Sequence, residues 1–361
     1  MYYFIALTLI PGIGPVNAKS LLSYCGSVEK IFNMKASQLL RIPGIGEAAA
    51  NAIVSHDVFA RVDEEMLFIE KKNIQCLTFL DENFPKRLKN CIDSPIVLYY
   101  AGNADLNAEK IIGIVGTRNS TDYGKNICDN LITDIQAENI LVVSGLAYGI
   151  DIAAHKACVK NNIPTVGVLA HGLDRVYPYT HREMASKMIQ NGGLLTEFVS
   201  NTNPDRQNFP KRNRIVAGMI DALIVVETAE NGGAVITATL ADSYNKDVMA
   251  FPGNINSKFS KGCNNLIKTN RAALVENAAD ILSLMRWTKN EITPKPQRTL
   301  FIEFTEEEKL IYDLLQEKKE IGIDELTNSV ALSPSTIAGN LLNLEFQGIV
   351  VSLPGKRYKL I

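Results

Sequence analysis

The sequence predicts an α/β protein whose core is a Rossmann-like, mostly parallel sheet. Seven short apolar runs rich in β-branched residues lie between positions 111 and 276, and each is followed by a glycine-bearing turn and a helical stretch. Strands that are buried on both faces of a parallel sheet are apolar throughout, as these runs are. The runs are 111–115, 141–144, 165–169, 194–197, 222–227, 248–251 and 273–275. The ligand crevice of such a sheet opens at the carboxyl ends of its strands.

The composition predicts a cytoplasmic protein of two to three domains. The chain has 361 residues and is 46% hydrophobic, and domains average about 150 residues. No apolar run approaches the ~18 residues of a membrane span. The apolar start, MYYFIALTLIPGIG, lacks a basic region and a cleavage site, so that we expect a folded helix and no signal peptide.

The ionisable residues argue against a metal site and against a basic protein. The six cysteines show no C-x-x-C spacing and the four histidines form no ligand-spaced pair. Scattered cysteines in a long chain are typical of reduced thiols in the cytoplasm. We therefore predict no metal and no cofactor. The net charge is −2, so that any nucleic-acid site must be a local patch.

The N-terminal region, 1–60, contains the tetrapeptide PGIG twice, at 11–14 and 43–46. Each copy lies between apolar residues and an alanine-containing helical stretch, which resembles a doubled helix-hairpin-helix (SAM-like) domain. That module binds a DNA phosphate at the hairpin. A helical bundle without a ligand is the alternative, because each hairpin has one nearby cation, Lys19 or Arg41.

The rest of the chain divides into four segments. We predict a connector leading into the core at 61–107, the core itself at 108–285, and a linker with two prolines at 286–304. Residues 305–361 contain three helical patterns and then a hairpin around Pro354-Gly355. That order predicts a winged helix-turn-helix.

The turns after the core strands carry glycines and cations in place of paired catalytic carboxylates. Glycine allows a backbone to approach a ligand closely, and the start of a helix favours an anion. Asp151 is expected to cap one of these helices, and His155 to pack inside it. The candidate nucleic-acid-binding residues in the first three turns are Gly116, Thr117, Arg118, Ser144, Gly145 and Gly172.

The densest basic run, FPKRNR, begins at position 209 and starts a helix. Cations at a helix N-terminus oppose the helix dipole, and such a conflict is expected where an anion binds. Tyr177 and Tyr179 suit base stacking, or else they cover the sheet edge. The candidates here and in the glycine pair of a later turn are Phe209, Lys211, Arg212, Asn213, Gly232 and Gly233.

Taken in order, these motifs resemble the DNA-processing protein A (DprA, or Smf) family. The matching segments are GTRNSTDYG, SGLAYGIDIAAH, GLDRVYP, TEF, NFPKRNRIVAGM, ETAENGGAVITATLA and AFPGNINS followed by GCNNLI. The resemblance implies a non-enzymatic bacterial protein that binds single-stranded DNA, helps to load the RecA recombinase and supports natural transformation. It also implies a homodimer formed through the core. The phosphate-binding residues that it implies are Gly116, Arg118, Gly145, Phe209, Lys211, Arg212 and Asn213.

Two other functions stay open at this point. The core also resembles nucleotide phosphoribohydrolases, although Thr239 stands where their catalytic glutamate would be. Glu230 and Asp242 are nearby carboxylates, and glycosidic cleavage needs a carboxylate. A helix-turn-helix regulator is the third possibility, but its second helix, at 333–347, contains no Lys or Arg, which is unusual for a helix in the major groove.

Overall fold

The N-terminal part of the chain is a small helical domain. The structure, a computed structural model, describes residues 1–287 and 304–361. The first helices are α1 (Tyr2–Leu9), α2 (Pro15–Cys25), α3 (Val28–Phe32), α4 (Ala36–Leu39), α5 (Glu47–Val54) and α6 (Phe59–Lys72). The two predicted hairpins join α1 to α2 and α4 to α5. Gly12 and Gly44 turn them with φ of +80° and +84°, a region that glycine enters without strain.

A nine-stranded sheet forms the core. Its strands are β1 (Gln75–Thr78), β2 (Val97–Gly102), β3 (Lys110–Val115), β4 (Ile140–Ser144), β5 (Thr165–Val168), β6 (Gly192–Thr196), β7 (Ala222–Val225), β8 (Asp247–Ala250) and β9 (Ala273–Leu274). The order is β1-β2-β6-β5-β4-β3-β7-β8-β9. β1 and β2 are antiparallel to their neighbours, and β3 to β9 are parallel. The seven apolar runs of the sequence are β3 to β9, which confirms the predicted fold class.

Helices cover both faces of this sheet. They are α7 (Lys86–Lys89), α8 (Asp122–Asp134), α9 (Ile150–Lys160), α10 (Arg182–Gln190), α11 (Asn208–Met219), α12 (Gly233–Ser243), α13 (Lys261–Lys268) and α14 (Ala278–Leu284). Ile111 packs with α11 and α12 on one face, whereas Ile112 packs with α8 and α9 on the other. Successive side chains of a strand point to opposite faces, so that both layers exclude water from the sheet.

The strand order reverses between β3 and β7. From β3 the chain adds β4, β5 and β6 on one side, and it then returns to add β7, β8 and β9 on the other. At such a reversal the connecting helices diverge and leave a crevice beyond the carboxyl ends of the strands. The crevice therefore lies beyond Val115 and Val225, the last residues of β3 and β7.

The segment 61–107, read from the sequence as a connector, contributes two strands to the sheet. β2 pairs with β6 from Tyr99–Thr196 to Gly102–Gly193, and β1 pairs with β2. Tyr99 and Val97 of β2 also belong to the apolar core of the N-terminal helices. The helical domain and the sheet are therefore continuous.

The C-terminal domain is a winged helix, as predicted. Its elements are α15 (Glu306–Lys318), β10 (Glu320–Gly322), α16 (Ile323–Ser329), α17 (Pro334–Phe346), β11 (Val350–Leu353) and β12 (Arg357–Leu360). β10 joins the predicted hairpin as a third strand, in the order β10-β12-β11. Most of the predicted linker, 288–303, lies outside the described residues. In the described parts of the chain, no helix is both long and apolar enough to cross a membrane.

Candidate nucleic-acid interface

The crevice at the strand reversal contains a cavity of about 290 Å³. The loops after β3, β4 and β7 and the first turns of α11 and α12 surround it. The cavity brings together nine of the twelve candidate residues. These are Gly116, Thr117, Arg118, Gly145, Phe209, Arg212, Asn213, Gly232 and Gly233.

Two glycines make this close approach of loops possible. A Cβ on Gly116 would lie 2.4 Å from Cγ1 of Ile150 and 2.9 Å from the Glu227 carbonyl oxygen. A Cβ on Gly145 would lie 2.3 Å from Oδ2 of Asp151. Real Cβ atoms do not approach other atoms so closely, so that a larger residue at either position would push the loop into the cavity.

The start of α12 opens directly into the cavity. Gly232 is its N-cap residue and supplies no side chain to the free backbone N–H groups. A Cβ built on Gly233 has no atom within 4 Å, so that the approach to these donors is open. An uncapped helix N-terminus attracts anions through its N–H groups and its dipole.

The start of α8 is arranged differently from the start of α12. The sequence places Arg118 near free N–H groups, but the buried carboxylate of Glu227 occupies that position. Glu227 accepts hydrogen bonds from the Thr121 backbone N–H at 2.9 Å and from its hydroxyl at 2.7 Å. The loop 116–121 is therefore fixed by a carboxylate, and α8 offers no second anion site. Sequence reasoning missed Glu227, because a polar residue at the end of an apolar run is common and does not indicate a buried carboxylate.

Arg118 and Phe209 form the rim of the cavity. Arg118 is exposed, and its guanidinium carbon lies 4.8 Å from the centre of the Phe209 ring. The Tyr177 ring centre is 6.3 Å from that of Phe209, and Tyr148 and Tyr177 are both about half exposed. A cation among aromatic faces suits a nucleotide, because the ring stacks and the guanidinium binds the phosphate.

Arg212 is buried, in contrast to Arg118. Its guanidinium donates to the Val168 carbonyl oxygen, and its Nε donates to Oδ1 of Asn213 at 3.1 Å. Burial raises the pKa of Asp151, and the charge of Arg212 opposes that rise. Arg212 therefore supports the floor of the cavity.

Asp151 and His155 have structural positions in α9. The expectation that Asp151 caps this helix is wrong: Gly149 is the N-cap residue, and Asp151 lies in the first turn with its carboxylate accepting from the Ala147 N–H. Burial lowers the pKa of His155 to about 4. Its ring is fixed between the Gly145 carbonyl oxygen and the Thr165 hydroxyl, which agrees with the packing role predicted for it.

Three candidates lie elsewhere. Ser144 is buried and donates to the Ile114 carbonyl oxygen at 2.6 Å. Gly172 is packed against the Val199 carbonyl oxygen. Lys211 is exposed but lines a different cavity, of about 340 Å³, between α11 and the first hairpin. The spacing along α11 indicates that Arg212 and Lys211 point in different directions. Arg212 is in phase with the buried Ile215 and Val216, whereas Lys211 is in phase with Arg214.

Comparisons with known proteins agree with this architecture. The family described as DNA recombination-mediator protein A matches residues 75–286. A SAM-like helix-hairpin-helix tandem matches residues 4–56, and a DprA winged helix domain matches residues 293–356. The first of these matches covers more than half of the chain. The chain belongs to the DprA family.

Curated DprA-family proteins are similar over most of their length. Protein Smf of Synechocystis is 30% identical over 99% of this chain and 98% of the relative. The DNA processing protein DprA of Streptococcus pneumoniae is 33% identical over 64% of this chain and 82% of the relative.

Two solved DprA structures are also similar. The X-ray structure of DprA from S. pneumoniae has a TM-score of 0.68 and 29% identity, covering 78% of this chain and 97% of that one. DprA from Helicobacter pylori, whose single-stranded DNA binding mode was determined, has a TM-score of 0.53 and 28% identity, covering 58% of this chain and 94% of that one.

The DprA fold of this chain places no free carboxylate where glycosidic cleavage would need one. Asp151 is the acidic residue among those lining the crevice cavity, all of which are described, and Arg212 faces it. The hydroxyl of Thr239, at the position of the hydrolase glutamate, donates a hydrogen bond to the Val235 carbonyl oxygen and accepts one from Arg271. Glu230 and Asp242 are exposed outside the cavity lining. The geometry does not favour the hydrolase.

Proposed function

We propose that this DprA-family chain binds single-stranded DNA in the crevice between β3 and β7. One observation carries the proposal: an uncapped helix N-terminus, an exposed arginine and a phenylalanine ring meet in one cavity. The α12 N-terminus and Arg118 supply two sets of donors to phosphate. Phe209 supplies a face for a base.

The aromatic rim supports a single strand over a duplex. Tyr148, Tyr177 and Phe209 present ring faces around Arg118, and only an unpaired base can leave its stack to lie on such a face. Base stacking on an aromatic ring contributes about 1–3 kcal/mol per base with little sequence preference. We therefore expect weak sequence selectivity.

Membership of the DprA family supports a proposal about the partners of the chain. We propose that the chain acts as a homodimer, presents single-stranded DNA to the RecA recombinase and serves natural transformation. The six cysteines are described and unpaired, which supports a reducing, cytoplasmic environment. We propose no catalytic step and no cofactor.

The test compares single-stranded and duplex DNA of equal length by fluorescence anisotropy across a salt series. We expect the protein to bind the single strand more tightly than the duplex. Phe209→Ala should weaken single-strand binding more than duplex binding, and so reduce the preference for the single strand. Phe346→Ala, which removes an exposed ring from the winged helix, is the matched control. Equal affinity for duplex, or an unchanged preference in Phe209→Ala, would contradict the proposal.

A further inference from the structure

The wing of the C-terminal domain is turned toward the core. The wing, defined as residues 350–360, carries three cations: Lys356, Arg357 and Lys359. Nζ of Lys356 donates to Oδ1 of Asn245. Nη1 of Arg357 lies 3.8 Å from Oδ1 of Asp221, and its Nε lies 3.0 Å from Oε1 of Glu320.

The core holds the C-terminal domain through residues at the amino ends of β7 and β8 and through Arg286, just after α14. Asn245, just before β8, also donates to Oδ1 of Asp324 at 3.2 Å. Nη1 of Arg286 donates to the Ser352 carbonyl oxygen of the wing at 2.6 Å. This surface lies at the amino ends of the parallel strands. The crevice lies beyond their carboxyl ends, on the opposite side of the sheet.

The contact between the two units is polar and loosely packed. The winged helix has its own apolar core, which within the described residues includes none from 1–287. Two cavities of about 600 and 250 Å³ lie between the C-terminal domain and the core. Oδ2 of Asp247, beside Gly355, is buried without a hydrogen-bond partner among the described residues. A polar contact with gaps is typical of units that separate and rejoin.

We propose that the wing latches the C-terminal domain onto the core, and that release of the latch frees its cations to bind the backbone of duplex DNA. A two-stranded ribbon fits the major groove of duplex DNA, and Lys and Arg bind its phosphates. In the latched arrangement Lys356 and Arg357 face Asn245 and Asp221 instead. The winged helix is thus a second, closed nucleic-acid site, independent of the crevice.

The test removes two of the three core-side anchors, Asn245 and Arg286, and leaves Asp221 and the wing intact. Asn245 and Arg286 both have left-handed backbones, with φ of +57° and +53°, so that Asn245→Gly with Arg286→Gly removes the side chains without backbone strain. Asn139→Gly, at φ +52° and away from the wing, is the matched control. The full-length variants are compared by small-angle scattering and by anisotropy with a 20-base-pair duplex and a 20-base single strand.

We expect the anchor variant to have a larger radius of gyration than the wild type and the control. Its duplex affinity should rise at low salt. The log–log salt slope for duplex should steepen by about 0.9 for each cation that release frees. Replacing Lys356, Arg357 and Lys359 with Gln in the same background should abolish the gain.

An unchanged radius of gyration in the anchor variant would overturn the latch. A larger radius without a gain in duplex affinity, or a gain that survives the wing substitutions, would overturn the role of the wing cations. Single-strand affinity should change less than duplex affinity in the anchor variant and in the wing variant. Loss of single-strand affinity in Arg118 or Phe209 variants tests the crevice and does not depend on the wing. Failure of one proposal can therefore be distinguished from failure of the other.

Discussion

Replacement of Arg118 with Ala tests the crevice most directly. The guanidinium is exposed at the rim of the cavity, 4.8 Å from the Phe209 ring centre, and it belongs to no ion pair in the described parts of the chain. One phosphate contact on a single strand contributes about 0.7 to the log–log salt slope. Between 50 and 200 mM salt, loss of one contact should lower the salt-dependent change in affinity by a factor of about 2.6. A charge-assisted hydrogen bond at an exposed site contributes about 1.5 kcal/mol, so that affinity should fall about tenfold.

The assay is fluorescence anisotropy with a labelled 20-base single strand at four salt concentrations. Lys160→Ala is the control, because it removes the same charge from the far end of α9, where the side chain is exposed near Asp129. Thermal unfolding should show that both variants are as stable as the wild type. An unchanged slope in Arg118→Ala, or an equal change in Lys160→Ala, would refute the placement of the phosphate site.

Three further predictions follow from the core and the domain boundaries. Gly116→Ala should lower the free energy of unfolding in urea by about 1–3 kcal/mol, because its Cβ would lie 2.4 Å from Ile150 Cγ1; wild-type stability would show that the loop yields. The pKa of His155 is lowered to about 4, so that the unfolded state alone takes up this proton as the pH falls from about 6.5 toward 4. Stability should drop by about 2 kcal/mol between pH 7 and pH 4.5, and a His155→Gln variant with the same drop would contradict the assignment. Deletion of 305–361 should leave most single-strand affinity, because that domain has 6 basic against 9 acidic residues and its own apolar core; near-complete loss in a fragment that still folds, checked by circular dichroism, would identify the winged helix as the reader of DNA.

The strands and the crevice were accessible from sequence because their signals are local. Apolar runs with glycine turns give β3 to β9, and the turns give the cavity residues around Arg118. β2 was not accessible as a sheet strand, because its partner β6 is about ninety residues away and prolines punctuate the segment. β1 joins the sheet through β2 and therefore was not accessible either. Pairing across that distance depends on the finished sheet.

The direction of each charged side chain was accessible only in part. FPKRNR suggests one basic cluster, yet α11 directs Arg212 to the interior and Lys211 to the first hairpin. Helical phase indicates this once the boundaries of α11 are known. The hydrogen bond from Thr121 to Glu227 joins residues 106 positions apart, and no local sequence pattern predicts it. The membership of Lys211 in the DNA site therefore stays a prediction.

The pairing of β2 with β6 decides where this protein can be divided. A fragment that began at position 108 would lack β2 and the helices against which Tyr99 packs, and it would leave the edge of β6 unpaired. Unpaired strand edges recruit other chains, so that such a fragment should aggregate. The smallest autonomous piece thus begins at the N-terminal helices.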